Sequence, residues 1–211
     1  MAFREPLALL ALGTILLIVS GLHPFDRTTW VLEVSPILVG VPVLLATARR
    51  FPLTKLSYRL VFFHALVLML GGHYTYEKVP IGYWFKDVFA LSRNHYDRFG
   101  HLVQGFVPAI LARELLLRSS GVRRGALLFG LVTAVCLAIS ALYELFEWGT
   151  AMLLGQGADA FLATQGDPWD TQADMLMALI GAVLAQALLA RLHDHELESV
   201  QRSAAARSRA A

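Results

Sequence analysis

The sequence predicts an all-α, polytopic membrane helix bundle with about six transmembrane helices and one interfacial amphipathic helix. Hydrophobic residues make up 56% of the 211-residue chain and charged residues only 16%, whereas soluble domains are about 25% charged. The mean hydropathy of the chain is +0.57. The apolar residues form long stretches. The length of most of them is close to the roughly 20 residues that a helix needs to cross about 30 Å of hydrocarbon.

The apolar stretches are separated by short polar loops, and they place the spans near residues 6–22, 30–48, 58–74, 99–118, 125–153 and 172–191. The first stretch resembles a signal peptide, but its apolar run is long and no small-x-small cleavage site follows, so we expect an uncleaved anchor. The fifth is longer than one crossing needs, and it either tilts or turns along the interface after Trp148. These spans predict a single transmembrane domain over residues 1–192, followed by a polar cytoplasmic tail over residues 193–211.

The stretch Val79–Leu91 between the third and fourth spans mixes aromatic and aliphatic residues with charged ones. An amphipathic, aromatic-rich segment next to a membrane is typical of an interfacial helix. This helix would either cover the outer ends of the spans or anchor their rim.

The basic residues are distributed unevenly between the two sides of the bundle, although the net charge is only +2. Because the spans alternate in direction, the loops sort into two sets. The set that contains both termini carries 13 of the 18 basic residues, and the positive-inside rule therefore places both termini in the cytoplasm. The pattern gives no sign of nucleic-acid binding, and the single Cys136 excludes an internal disulfide.

Asp97 and His101 form the first of three polar motifs, and all three fall at the outer side of the predicted bundle. The two residues are four apart at the start of the fourth span and share a helix face. Such a pair could bind a metal or work as an acid–base pair. The alternative is a helix-start carboxylate stabilised by the helix dipole, with His101 hydrogen-bonded at the interface.

Glu144 and Glu147 form the second motif, one turn apart in the later part of the fifth span. Neighbouring carboxylates repel, so at least one needs a cation, a proton or an arginine partner. The structural alternative is pairing with Arg93, Arg98 or backbone donors. Two acids inside a span serve stability poorly, and the pattern therefore favours a functional role.

The third motif places Asp167, Asp170 and Asp174 at the start of the last span. Asp167 followed by proline is typical of a helix N-cap, and Thr171 with Asp174 resembles a capping box. Capping explains one or two of the acids. We predict that Asp170 and Asp174, four residues apart, face a pocket while Asp167 caps the helix.

Other polar residues are assigned minor roles. His73, at the end of the third span, is expected at the surface or behind the site. The pattern places Arg113 and Glu114 near the inner end of the fourth span, where long side chains snorkel to the surface. Nothing in the sequence assigns a role to His193.

The three motifs together resemble those of YjdF-type bacterial inner-membrane proteins, a multi-span family of unknown function. The resemblance extends from about the second span to the sixth. Its residues read His95-Tyr-Asp-Arg-x-Gly-His-x-x-Gln-Gly105, Tyr143-Glu-x-x-Glu-Trp148 and Gln165-Gly-Asp-x-Trp-Asp-Thr-Gln-x-Asp-Met175. The motif order also resembles, more distantly, that of VanZ-like membrane proteins, whose pattern matches Asp97, His101, Glu144 or Glu147, Asp170 and Asp174. The resemblance implies a bacterial inner-membrane location and supplies no reaction.

Three classes of function fit these observations. The first is an outward-facing membrane enzyme acting on a lipid-linked or envelope substrate, either by acid–base catalysis or around a divalent metal ion such as Mg²⁺, Mn²⁺ or Zn²⁺. Its candidate site comprises Asp97, His101, Glu144, Glu147, Asp170 and Asp174, and all of these except Asp97 are candidate metal ligands.

The second class is a small transporter or proton- or cation-handling protein. The third is a structural or partner-binding membrane protein. The bilayer is the one partner that the sequence establishes, and it leaves the oligomeric state open.

Overall fold

The fold is all-α in the computed structural model, which describes residues 4–155 and 159–209. These ranges contain helices and no strand, so the predicted fold class is confirmed. The helices are α1 (Arg4–Ser20), α2 (Arg27–Thr47), α3 (Lys55–Tyr74), α4 (Pro80–Val88), α5 (Tyr96–Ser119), α6 (Ala126–Leu154), α7 (Asp159–Leu162) and α8 (Asp170–Arg209), with a short 3₁₀ turn at Tyr76–Lys78.

Four helices of the described ranges, α2, α3, α6 and α8, are long and apolar enough to cross a membrane. The multi-span architecture is therefore confirmed, whereas the predicted count of six spans is not. Helix α1 has only 17 residues. Helix α5 has 24 residues but carries charged side chains at both of its ends, which lowers its hydropathy below that of a typical span.

The ends of the helices follow ordinary capping chemistry. The Asp26 carboxylate accepts a hydrogen bond from the Thr29 amide at 2.7 Å and caps α2, and the Thr54 hydroxyl accepts one from the Ser57 amide at 3.2 Å and caps α3. Helix α6 runs unbroken past Trp148 and ends at Gly155, whose φ of +57° favours glycine. The segment predicted to be amphipathic contains α4, which exposes most of its apolar side chains.

The closest helix pair is α5 with α8, and small residues allow the two backbones to approach. A Cβ atom added to Gly105 of α5 would overlap the carbonyl oxygen of Ala178 in α8. A Cβ atom added to Gly181 of α8 would likewise overlap the carbonyl oxygen of Leu102 in α5. Small residues at such interfaces are the usual means of bringing membrane helices together, because van der Waals contact drives their association.

The remaining helices surround this pair. Helix α6 packs on both α5 and α8, and α3 packs on α5. Helices α1 and α2 both pack on α3, and α2 also packs on α7. Helix α5 is therefore enclosed by α3, α6 and α8, and its charged residues can be buried against protein instead of lipid.

Glu114 is buried near the C-terminal end of α5, and the expectation that it snorkels is wrong. Its carboxylate accepts hydrogen bonds from the Ser57 hydroxyl at 2.6 Å and from Arg118 at 2.6 Å. The neighbouring Arg113 is also buried, and it donates to His193 at 2.9 Å and to Asp194 at 2.8 Å. Because Arg113 donates to Nδ1 of His193, the Nε2 of that ring carries the proton and faces Glu114 at 3.3 Å.

The α8 helix continues beyond the predicted domain boundary at residue 192. His193 and Leu197 are buried against the rest of the bundle. The Glu196 carboxylate accepts a hydrogen bond from the Leu56 amide at 2.8 Å, which joins α8 to the start of α3. The first turn of the predicted tail thus packs on the membrane domain.

We predict that Gly105→Ala destabilises the protein by at least about 3 kcal/mol, the upper end of the usual overpacking cost. The reason is that the new methyl group would meet a backbone carbonyl, which cannot move without separating α5 from α8. The melting temperature of the detergent-solubilised protein measures the effect. Gly130→Ala on α6 is the matched control, because its Cβ would meet nothing within 4 Å. Equal melting temperatures for the two variants would contradict the close approach of α5 and α8.

Candidate functional site

Asp97 and His101 lie on the buried face of α5, as their four-residue spacing predicts. This face continues through Gly105 and Ala109 to Arg113. It therefore carries polar side chains at both ends and small residues in the middle. The His101 ring is 4% exposed, and its Nε2 lies 3.7 Å from a carboxylate oxygen of Asp97. The helix period therefore presents the carboxylate and the imidazole to the same interior space.

Helix α6 contributes Glu144 through a narrow buried face that repeats every four residues, at Leu128, Val132, Cys136, Ser140 and Glu144. An oxygen of Glu144 lies 3.7 Å from His101 Nε2. Glu147, one turn further on, is half-buried. No lysine or arginine of the described ranges pairs with either glutamate.

Helix α8 completes the cluster with Asp174. One ligand atom from each of Asp97, His101 and Asp174 lies within 4.8 Å of the others. Three buried atoms of the cluster have no hydrogen-bond partner among the described residues: His101 Nδ1, Asp174 Oδ1 and Glu144 Oε1. Buried polar atoms are normally satisfied, so this cluster has the free lone pairs that a bound ion or proton would use.

Glu33 of α2 is a further member of the cluster that the sequence analysis missed. It is 3% exposed, and it accepts a hydrogen bond from the Tyr143 hydroxyl at 3.3 Å. The ring of Tyr143 lies edge-on to that of His101 at 6.0 Å between centroids, so Tyr143 connects Glu33 to the other acids. The available signal was a single acid within an apolar span, which is itself unusual.

The third motif divides between two roles, and Asp170 does not join the cluster through a free carboxylate. Arg93 donates to Asp170 at 2.6 Å, and both side chains are buried. Arg93 also donates to the Ala163 carbonyl at 3.0 Å. Asp170 was predicted to face a pocket together with Asp174, but in the structure it neutralises an arginine while Asp174 faces the acids.

Asp167 combines a capping contact with an ion pair. Its carboxylate accepts a hydrogen bond from the Trp169 amide at 2.9 Å and pairs closely with Arg98. The hydrogen bond from Trp169, together with Arg98 and Arg93, holds the pKa of Asp167 below its ordinary value. Arg93 and Arg98, the alternative partners for Glu144 and Glu147, are thus both engaged by the third motif.

An amide pair fixes the loop before α8 to the loop before α5. Gln165 donates to the Asn94 carbonyl at 2.8 Å and accepts from the Asn94 amide at 3.1 Å. Burial, followed by the nearby arginines, lowers the pKa of His95 beside this pair. We call the contacts of Arg93, Asn94 and Arg98 with Gln165, Asp167 and Asp170 the outer clamp, because they lie at the end of the bundle that the charge distribution predicts to face outward. It aligns the first turns of α5 and α8, which carry Asp97 and Asp174.

His73 of α3, which was expected at the surface or behind the site, does not reach the cluster. Its Nδ1 lies 2.9 Å from the Ser20 carbonyl oxygen at the end of α1. The Nε2 atom of the half-buried His64 of α3 is inaccessible and unpartnered, and His64 lies close enough to His101 to interact electrostatically.

The cluster consists of Asp97, His101, Glu144, Glu147, Asp174 and Glu33, with Asp170 held beside it by Arg93. A charged side chain deep in a bilayer costs about 2.5–3.5 kcal/mol on an insertion scale. Several unpaired acids would therefore offset much of the roughly 5–15 kcal/mol that stabilises a typical domain. The arrangement needs positive charge, supplied either by protons or by a cation.

The apolar spans and the buried acids between them define a multi-span α-helical membrane protein with an ionisable interior site. The family described as "Predicted membrane protein (DUF2238)" matches residues 5–195, and the chain belongs to that family. It is similar to the inner membrane protein YjdF of Escherichia coli (strain K12), with 53% identity over 184 residues that cover 87% of this chain and 88% of that protein. No solved structure matches the chain.

These comparisons confirm the resemblance to YjdF-type proteins that the three motifs indicated. They do not show the more distant resemblance to VanZ-like proteins. Neither finding attaches a reaction to the polar cluster, so its role must be argued from the chemistry of its residues.

We predict that Arg93→Gln destabilises the protein by about 3 kcal/mol, since it removes the arginine at 2.6 Å from the buried Asp170 and leaves it only Arg98 at 3.9 Å. Asp170→Asn should have a similar effect, and the double variant should lose less than the sum of the two. Thermal unfolding of all three variants in detergent measures this coupling. Arg27→Gln, at an exposed arginine, is the control and should change stability by less than about 0.5 kcal/mol. Strictly additive losses would show that the ion pair does not couple α8 to the segment before α5.

Proposed function

We propose that this protein binds a divalent cation in the buried acidic cluster, and that the cation serves a reaction on a lipid-linked or envelope substrate. The observation that carries the proposal is the convergence of Asp97, His101 and Asp174 within 4.8 Å, with unpartnered atoms on His101 and Asp174. Acids without arginine partners are expensive in a membrane interior, and a divalent ion would balance two of their charges.

The proposal includes the topology, with six spans in a bacterial inner membrane and both termini in the cytoplasm. The inner-membrane location is supported by the name of the Escherichia coli relative. Helices α1 and α5 would be the fifth and sixth spans. Burial of α5 between α3, α6 and α8 explains how it could cross the bilayer despite its charges. The orientation rests on the uneven distribution of basic residues between the loops.

The donor set favours Zn²⁺ or Mn²⁺ over the other divalent ions. Imidazole nitrogen suits zinc, and carboxylate oxygens suit manganese and magnesium. Magnesium loses its water reluctantly and usually retains several water ligands. In the enclosed cluster around His101, where protein atoms replace water, an ion that accepts mixed nitrogen and oxygen ligands fits better.

The chemistry available to such a site is hydrolysis or group transfer. A bound cation would supply Lewis acidity, which activates water or polarises a phosphoryl or carbonyl group. Glu144 and Glu147 would then be placed to accept or donate a proton, because both face the cluster without a basic partner. Asp97, His101 and Asp174 would hold the ion, and Asp170 would keep α8 in register through Arg93.

We expect protein purified without chelators to contain about one divalent ion per chain and to lose it in Asp174→Asn. Elemental mass spectrometry measures the content, and a lower melting temperature after chelation gives a second readout, because a ligand bound to the folded state stabilises it. Asp167→Asn removes an equivalent charge at the outer clamp and should retain the ion.

The cation proposal fails if the wild-type protein contains no ion and its melting temperature is unchanged by Zn²⁺, Mn²⁺ and Mg²⁺. It also fails if Asp167→Asn and Asp174→Asn lose the ion equally, because the effect would then reflect general destabilisation and not ligand loss.

A second candidate, proton or cation transport, is favoured by the polar groups that lie along α5. His64 and Ser140 have buried, unpartnered polar atoms, and His64 is near enough to His101 to act on it electrostatically. Glu114 and His193 follow at the inner end, and the 13 residues from His101 to Glu114 correspond to about 20 Å of helix.

Reconstituted protein can distinguish the enzyme from the transporter. We expect a bacterial total lipid extract incubated with the ion-loaded protein to show new masses, which Glu147→Gln abolishes while it keeps the fold. We expect no proton or cation flux above that of empty liposomes. Gradient-driven flux that Glu147→Gln abolishes, without any new lipid mass, would instead establish the transport function.

A further inference from the structure

An apolar groove lies between α1, α2 and α3, and its lining residues belong to none of the positions of the acidic cluster. Helices α1 and α2 each pack on α3 and leave between them a cavity of about 350 Å³, within the range of about 300–1,000 Å³ typical of small-molecule sites. The lining residues are almost all aliphatic or aromatic and fall within residues 6–17, 37–48 and 58–69. The groove is thus built to accept an apolar group.

The length of the groove corresponds to one leaflet of a bilayer. It extends over 12 residues of each lining helix, from Pro6 to Leu17 in α1, for example. The 11 steps of 1.5 Å between the first and the last residue give about 16 Å, or half of the roughly 30 Å hydrocarbon thickness. One end lies at the helix ends marked by Pro6, Ala48 and Tyr58, and the other is lined by Leu17, Ile37 and Met69, at the middle of α2 and beyond the midpoints of α1 and α3.

The end of the groove at the helix termini is strongly basic. Five basic residues surround it: Arg4, Arg49, Arg50, Lys55 and Arg59. Two acids lie there: Glu5 pairs with Arg59 at 2.5 Å and with Lys55 at 3.9 Å, and Glu196 accepts a hydrogen bond from the Leu56 amide. Arg49 and Arg50 are exposed, and neither forms an ion pair with a described residue. The groove therefore joins an apolar interior to a rim with unneutralised positive charge.

We infer that the groove binds an anionic phospholipid, with an acyl chain between α1 and α2 and the phosphate against Arg49 and Arg50. The apolar lining suits the chain, the one-leaflet depth suits its length, and the basic rim complements the headgroup. A second copy of this chain fits less well. A symmetric contact through this face would bring the same arginines together.

The inference does not depend on the cation site, because no residue of the acidic cluster lines the groove. It also differs from general attraction of basic loops to an anionic membrane. General attraction needs the charges alone, whereas a site needs both the charges and the open groove.

Two variants separate the groove from its charges. Gly13→Leu fills the groove, because Gly13 lines it and an added Cβ meets only the Phe62 ring at an ordinary 3.6 Å. Gly40→Leu is its control, since Gly40 of α2 lies outside the lining and its Cβ meets nothing within 4 Å. Ala65→Leu, on the α3 wall, is a second filler if Gly13→Leu does not fold.

The charge variant is Arg49→Gln with Arg50→Gln, and its control removes two exposed arginines elsewhere, Arg123→Gln with Arg191→Gln. Native mass spectrometry of the purified chain, titrated with phosphatidylglycerol or phosphatidylcholine, measures bound lipid directly. Circular dichroism and size-exclusion chromatography verify that each variant is folded and monodisperse.

We expect one phosphatidylglycerol to bind in preference to phosphatidylcholine. Gly13→Leu should weaken that binding at least tenfold, and each arginine removed should weaken it about fivefold, while both controls bind as the wild type does. Equal binding of the two lipids would overturn the inference, as would a Gly13→Leu variant that binds like Gly40→Leu. Loss of a dimer in folded Gly13→Leu, with lipid binding unchanged, would assign the groove to a second copy and likewise overturn it.

Discussion

The close contact between α5 and α8 is the constraint on which the rest of the structure depends. Gly105 and Gly181 each lie against a backbone carbonyl of the opposite helix, so that no side chain separates the two backbones there. Membrane helices lack a hydrophobic driving force toward each other and rely on such close packing. Once the middle of the pair is fixed, the residues at its two ends have fixed neighbours. Asp97 meets Asp174 at one end, and Arg113 meets Asp194 at the other.

The two ends use their polar residues in opposite ways. At one end of the pair Glu114 is fully buried, yet its oxygens accept from hydroxyl, amide and arginine donors, and the charge is satisfied. At the opposite end the arginines are engaged by Asp167 and Asp170, which leaves His101 and Asp174 with unpartnered atoms. A saturated network rigidifies a fold, whereas an unsaturated one is costly unless something binds there. This contrast favours the end that carries His101 and Asp174 as the candidate site.

Much of the candidate site followed from helical spacing. Asp97 and His101 share a face because four residues are close to one helical turn. Glu144 falls on the buried face of α6 because it lies four residues after the buried Ser140. Asp170 has the same spacing from Asp174 but lies in the outer clamp. Its role depends on Arg93, which comes from another segment 77 residues away. Spacing along one helix carries no information about that partner.

The sequence by itself determined the class of fold, the main apolar spans and the faces on which most acids lie, because hydropathy and helical period are local properties of the chain. Only the tertiary structure decided which faces meet. It brought Glu33 from α2 to the cluster, buried Glu114 where snorkelling was expected, and assigned Asp170 to an arginine. Those outcomes depend on how helices are rotated and placed against each other. The rotation and placement of the helices depend on the small residues between α5 and α8 and on ion pairs between distant segments.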